Sequence, residues 1–116
     1  MKLQTVRHIA DFFAYVQAYA PCFPEEDQVS LASAFQSLTE GVLEQLASTR
    51  SDVARHWFQL CIRDLEKAKT AYETEDRDQG LRLLQSAESS FEDGRKKRPM
   101  TSDFTVEPNG NIQRGP

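Results

Sequence analysis

Apolar residues recur at steps of three and four through four stretches of the chain, which places them along one face of an α-helix in each stretch. The best-patterned stretch, residues 51–72, carries the only tryptophan, Trp57. Ser51 is placed to accept a hydrogen bond as the N-cap, and Asp52 favours the positive end of the helix dipole. The pattern therefore predicts a helix that begins here. Its apolar face consists of Val53, Ala54, Trp57, Phe58, Cys61, Leu65, Ala68 and Tyr72.

Two further helices are predicted before this one. The first covers residues 5–19, has an aromatic-rich stripe and ends before Pro21, because proline disfavours helix in the residue that precedes it. The second runs from about Glu25, where three acidic residues suit a first turn, to about Ser48. Gly41 lies inside the second helix, where glycine costs about 1 kcal/mol relative to alanine. We expect a bend or a close helix contact at that glycine.

A fourth helix is predicted from Arg77. Asp76 and Gln79 resemble a capping box at its start, and Gly94 is placed to be the left-handed residue that follows its end. Four amphipathic helices joined by short links predict an all-α protein, an antiparallel four-helix bundle, with each helix beside the next. We therefore expect a bundle domain over residues 1–94 and an irregular basic tail over residues 95–116.

The charge of the chain is divided between these two parts. Residues 1–94 hold nine basic and sixteen acidic residues, a net charge of −7, whereas residues 95–116 hold five and two, a net charge of +3. Between His8 and Thr49 there is no lysine or arginine, while six residues are acidic. We therefore predict an acidic surface for the first half of the chain and a basic one for the tail.

The tail combines a run of bases with a few apolar residues. Its bases are Arg95, Lys96, Lys97 and Arg98. Such a run can contact phosphate, an acidic partner or a membrane surface, but it also offsets the dipole at the end of a helix. Further on, Phe104 and Val106 are typical of a short extended segment, and a turn follows that could fold Ile112 back toward it. We expect this segment to be disordered or to be ordered on a partner.

Residues that could carry chemistry are few and poorly placed for it. His8 and His56 can each share a helix face with one carboxylate, but neither has the further ligands that a metal requires. Cys61 is on the apolar face and five residues from His56, about 140° around the helix, so the two cannot form a nucleophile and base pair. We assign no catalytic residue, no metal site and no cofactor. Two cysteines and no signal pattern indicate a cytoplasmic protein without a disulfide.

One spacing resembles that of a known family. Arg50 is followed after five residues by His56, as in the HEPN family of small all-α domains, which include ribonucleases. In that family the pair acts on the 2′-hydroxyl and phosphate of RNA, generally at a dimer interface. Ser51 stands where the family often has an amide or an acid. The resemblance implies an RNA-binding or RNA-cleaving domain that uses Arg50, His56 and the basic run.

Our first expectation is a non-enzymatic, cytoplasmic, bacterial protein-binding module, such as an adaptor, chaperone or inhibitor. We expect another protein as its partner, with a homo-oligomer or a structural subunit of a larger complex as alternatives, and no membrane. Nucleic acid ranks behind these because four bases on an acidic protein attract phosphate weakly. The candidate partner-binding residues are Trp57, Phe58, Arg95, Lys96, Lys97, Arg98, Phe104, Val106 and Ile112.

Overall fold

Four α-helices account for most of residues 2–99, the part of the chain that this computed structural model describes. They are α1 (Val6–Tyr19), α2 (Leu31–Ser48), α3 (Asp52–Glu73) and α4 (Arg77–Arg95), with one 3₁₀ turn at Glu25–Asp27. The predicted all-α fold is confirmed. The predictions for Phe104, Val106 and Ile112 lie outside the described residues.

The helices pack as a closed ring. Helix α3 contacts α2 and α4, and α1 also contacts α2 and α4. The links over residues 49–51 and 74–76 are too short to let a helix cross the bundle, so consecutive helices α2, α3 and α4 run antiparallel. This arrangement confirms the predicted four-helix bundle. Over residues 2–99, no helix is both long and apolar enough to cross a membrane.

Three phenylalanines from three helices meet in the core. The ring of Phe91 in α4 lies 5.9 Å from that of Phe13 in α1 and 5.7 Å from that of Phe58 in α3, measured between ring centroids. The remaining fully buried large side chains surround them: Ile9, Val16, Leu38, Val42, Cys61, Leu65 and Leu84. The predicted apolar faces thus form the core. The aromatic stripe of α1 is not buried to its end, since Tyr19 is 46% exposed.

The predicted start of the second helix at Glu25 is wrong. Residues 25–27 form a single 3₁₀ turn, which ends where Gln28 takes a left-handed conformation with φ 54°. Ser30 and Ser33 then cap α2, because each hydroxyl accepts a hydrogen bond from the other's backbone N–H, at 3.0 and 2.9 Å. This reciprocal cap fixes the beginning of the helix at Leu31. The three acidic residues belong to a link that crosses between α1 and α2.

The predicted role of Gly94 is also wrong. Helix α4 continues to Arg95, and the left-handed residue after it is Lys97, with φ 54°. Gly94 is inside the helix and is buried there. A β-carbon at this position would lie 2.8 Å from Cε1 of Phe58 and 2.9 Å from Cβ of Trp57. Glycine is therefore needed for close packing of α4 on α3 and not for a turn.

Gly41 does make the close helix contact that the sequence predicts. A β-carbon there would lie 3.0 Å from Cγ1 of Ile9 in α1. The bare backbone at this point lets α1 approach α2 closely, and Leu3 packs beside it. The N-terminal segment is thereby tied to the bundle before α1 begins.

Candidate functional site

The two adjacent aromatic residues of α3 have different environments. Phe58 is 3% exposed and belongs to the core, whereas Trp57 is half-buried at the edge of α3. The indole N–H of Trp57 donates a hydrogen bond of 2.8 Å to the backbone carbonyl of Arg98. Of the two aromatics of α3 that were predicted to bind a partner, only Trp57 thus lies at the surface. It also holds the basic run against the bundle.

The basic run is fixed further by the way in which α4 ends. The N–H of Arg98 donates to the carbonyl of Asp93 at 2.9 Å, and that of Lys97 donates to the carbonyl of Gly94 at 3.0 Å. Together with the left-handed Lys97, these bonds form a Schellman motif, which closes the helix and turns the chain back on it. We call the resulting surface, Trp57 with residues 95–98, the basic end.

The four cations of the basic end are not equally available. Arg95 forms an ion pair with Glu92 at 2.6 Å, and Arg98 forms one with Asp93 at 3.1 Å. Among the described residues, Lys96 and Lys97 have no ion pair, and both are exposed. The charge that the basic end offers to a partner therefore comes mainly from these two lysines.

A small hollow adjoins the basic end. It has a volume of about 220 Å³ and lies between α4 and the C-terminal turn of α2. Arg95 and Lys97 line one side, Ser48 and Thr49 line the other, and Phe58 lies at its apolar base. The two cations and the Thr49 hydroxyl suit a carboxylate side chain, because they can donate hydrogen bonds to it, whereas the Ser48 hydroxyl already donates to the carbonyl of Glu44 at 2.7 Å.

Replacing Trp57 with phenylalanine tests whether the indole holds the basic run. The substitution keeps an aromatic ring but removes the N–H that bonds the Arg98 carbonyl. We expect a loss of about 1 kcal/mol in the free energy of unfolding, typical of one hydrogen bond. Amide hydrogen exchange should accelerate at Lys97 and Arg98 and should be unchanged at the start of α3. Unaltered exchange at both residues would show that the bond does not hold the run.

Nucleophilic chemistry has little support among the described residues. Cys61 is buried, and burial raises the pKa of its thiol. The nearby Asp64 carboxylate raises this pKa further, so the thiolate that is needed for nucleophilic attack is disfavoured. Cys22 is exposed and is a free cysteine, as Cys61 is. Residues 2–99 contain no group of three or more histidine, cysteine and acidic side chains placed to hold a metal ion.

The Arg50 and His56 pair lies at the start of α3. Arg50 is in the link before the Ser51 cap, His56 is in the second turn, and both side chains are exposed. The side chain of Arg55, beside His56, forms an ion pair with Asp52 at 2.7 Å and donates a hydrogen bond to the carbonyl of Thr49. The RNA-directed role implied by the family resemblance stays a prediction.

Comparisons of the chain with protein-family models, curated proteins and solved structures gave no match. Function must therefore be inferred from the surfaces of the bundle. Among the predicted site residues, the structure brings Trp57 together with residues 95–98 and places Phe58 beneath them.

Proposed function

We propose that this chain is a non-enzymatic protein-binding module that recognises its partner through the basic end. The observation that carries the proposal is the hydrogen bond from Trp57 to the Arg98 carbonyl, at 2.8 Å. It joins a half-buried aromatic ring to a run of cations and gives that run a defined place on the bundle. Tryptophan and arginine are the residues most often found to dominate binding energy at protein interfaces.

The chemistry of the basic end favours an acidic partner surface that carries an apolar side chain. Lys96 and Lys97 offer unpaired charge, and Trp57 offers a rigid apolar face. The hollow beside Arg95 and Lys97 is small enough to select a single side chain. A carboxylate in this hollow would meet both cations, while an apolar neighbour covers the indole.

A nucleic-acid partner fits this surface less well. Residues 92–98 contain four bases and two acids, a net charge of only +2, and two of the bases are already paired. Phosphate binding depends on many unpaired cations and gives affinities that fall steeply with salt. The basic end therefore favours a protein over RNA.

The compartment that we propose is the cytoplasm. Cys22 and Cys61 are both free, and Cys22 is exposed, where an oxidising compartment would modify it readily. Within that compartment, an adaptor, a chaperone or an inhibitor of a larger protein would each use a binding surface of this kind. The identity of the captured partner would distinguish them.

Affinity capture from the source cell, followed by light scattering of the captured complex, tests the proposal. The variant is the double substitution Lys96→Gln with Lys97→Gln, which removes the two unpaired cations of the basic end. The matched control is Arg63→Gln with Lys67→Gln, which removes two exposed cations from the outer face of α3. We expect a defined protein partner with the natural chain and with the control, and a loss of at least about tenfold in capture with the first variant.

Two results would contradict a protein-binding function of the chain. One is a clean monomer that captures no protein. The other is RNA that is cleaved by the natural chain and is left intact by His56→Ala, which would establish the alternative based on Arg50 and His56. Retained capture by the Lys96 and Lys97 variant would place the binding surface elsewhere on the bundle.

A further inference from the structure

A larger groove lies on the outer side of α1, between this helix, the N-terminal segment and the link to α2. Its volume is about 560 Å³. Leu3, Phe12, Tyr15 and Val29 form its apolar part, and Asp11 and Asp27 are its carboxylates. None of the residues that line it belongs to the basic end or to the hollow beside it. Its size matches sites that accept one or two side chains of a ligand.

The groove is built by specific contacts. The hydroxyl of Tyr15 donates a 2.8 Å hydrogen bond to Oδ2 of Asp27, which ties the 3₁₀ turn to α1. The Tyr15 ring stacks on Phe12 at 5.4 Å and on Phe23 at 5.6 Å, with interplanar angles of 14° and 17°. Desolvation and the Asp27 bond raise the pKa of Tyr15 to about 12, so its hydroxyl stays a hydrogen-bond donor even at pH values where an ordinary tyrosine begins to ionise. The wall formed by the link is therefore held in place without an occupant.

The charges around the groove favour a cation. Asp27 lies in the same 3₁₀ turn as Glu25 and Glu26. The chain has no lysine or arginine between Asp27 and Thr49. Asp11 has one ion pair, with Arg7, at a distance of 4.0 Å between exposed side chains, which is weak in water.

Two groups that could oppose this preference are also present. Lys2 lines the groove, and its pair with Glu44 at 3.8 Å also joins exposed side chains and is weak in water, so the lining has one positive charge beside the two carboxylates. His8 lines the groove as well and is exposed. The lining and its nearest acids together still carry more negative than positive charge, which repels phosphate and attracts lysine and arginine.

The segment of the chain's own tail around Phe104 and Val106 is a poor match for this groove. Its apolar residues Phe104 and Val106 are flanked by Asp103 and Glu107, whose charge has the same sign as that of the groove carboxylates. An occupant with the opposite pattern would bury an apolar side chain against Phe12 and Tyr15 and place cations beside Asp11 and Asp27.

We infer that the groove binds a segment of another protein in which an apolar anchor is flanked by lysine or arginine. An amphipathic helix of this composition fits best, because apolar and basic side chains on adjoining faces would meet the floor and the carboxylates together. This site goes beyond the basic end, which has the opposite charge. The protein therefore carries two docking surfaces, one for an acidic segment and one for a basic segment.

Titration of the whole chain with designed peptides, followed by NMR, tests this site. The probe is an amphipathic helical peptide of leucine and lysine, and its counterpart has glutamate in place of lysine. We expect saturable binding of the lysine peptide only, with amide shifts concentrated in residues 8–15 and 25–29. Affinity should fall at least about tenfold between low and high salt, because the contact is largely electrostatic and exposed.

Paired variants make the assignment specific. Asp11→Asn with Asp27→Asn removes both carboxylate charges but keeps an oxygen that can accept the Tyr15 hydrogen bond. We expect it to weaken the lysine peptide about tenfold or more, whereas Glu66→Gln with Glu75→Gln, on exposed positions of α3 and its C-terminal turn, should bind as the natural chain does. Equal affinity in the two variants, or equal binding of the glutamate peptide, would overturn the inference.

The other occupants give different results in the same system. Amide shifts in residues 8–15 on Phe104→Ser with Val106→Ser would assign the groove to the chain's own tail. A dimer that the Asp11 and Asp27 variant dissociates would assign it to a second copy. Either result contradicts a basic segment of another protein, and neither bears on capture by the basic end.

Discussion

Replacing Phe91 with alanine is expected to lower the free energy of unfolding by about 3–5 kcal/mol, which is much of the stability of a domain of this size. The residue is 0% exposed, and its ring lies within 6 Å of those of Phe13 and Phe58, so it joins three of the four helices. Alanine would leave a cavity that the bundle can fill only by moving whole helices. Urea unfolding followed by circular dichroism measures the loss.

A milder change and a peripheral one serve as controls for this prediction. Phe91→Leu keeps most of the volume and should cost about 1 kcal/mol, so it stays measurable if the alanine variant does not fold. Phe23→Ala removes the same group from the link between α1 and α2, where the ring is only half-buried. If Phe23→Ala proved as costly as Phe91→Ala, the core would not be centred on these three rings.

Replacing Gly94 with leucine is expected to destabilise the bundle by about 2–3 kcal/mol through overpacking. The added side chain would collide with the ring of Phe58 and with Cβ of Trp57. A β-carbon alone would already lie 2.8 and 2.9 Å from these two groups. Leucine would also separate residues 95–98 from Trp57. The emission of the single tryptophan should shift to longer wavelength as the indole becomes more exposed.

A comparison of alanine with leucine at position 94 separates two roles for the glycine. If Gly94 were needed for a left-handed backbone, both substitutions would cost a similar amount, about 1 kcal/mol. Because it is instead a packing position inside α4, alanine should already destabilise the bundle, since its β-carbon would lie less than 3.0 Å from Phe58 and Trp57, and leucine should cost clearly more than alanine. Ser89→Leu, at an exposed position of α4, should be nearly neutral.

The sequence predicted the bundle because periodicity alone determines which faces must be buried. The start of α3 at Ser51 and Asp52 and the start of α4 at Asp76 were predicted correctly, since each has a side chain that caps the helix locally. The start of α2 was placed too early because acidic residues in a row favour a first turn. The Ser30 and Ser33 cap, which decides the boundary, was overlooked.

The remaining differences arise from tertiary packing. Gly94 followed by four bases is typical of a helix end, and no local signal distinguishes this from a glycine required by Phe58 on another helix. The hydrogen bond between Trp57 and Arg98 joins residues 41 positions apart, which periodicity cannot predict. The groove on α1 likewise depends on a tertiary contact, the hydrogen bond from Tyr15 to Asp27. The sequence does show an acidic link after an aromatic-rich helix, which could have indicated a groove of this kind.

Photocrosslinking from the basic end tests the central claim most directly. A photoreactive amino acid would replace Pro99, the exposed residue that directly follows the basic run, and the same group at Ser89, exposed on α4, would serve as the control. After irradiation in the source cell, we predict a discrete protein adduct from position 99 that is absent or much weaker from position 89. An adduct with RNA at position 99, or no adduct there at all, would contradict a protein-binding role for the basic end.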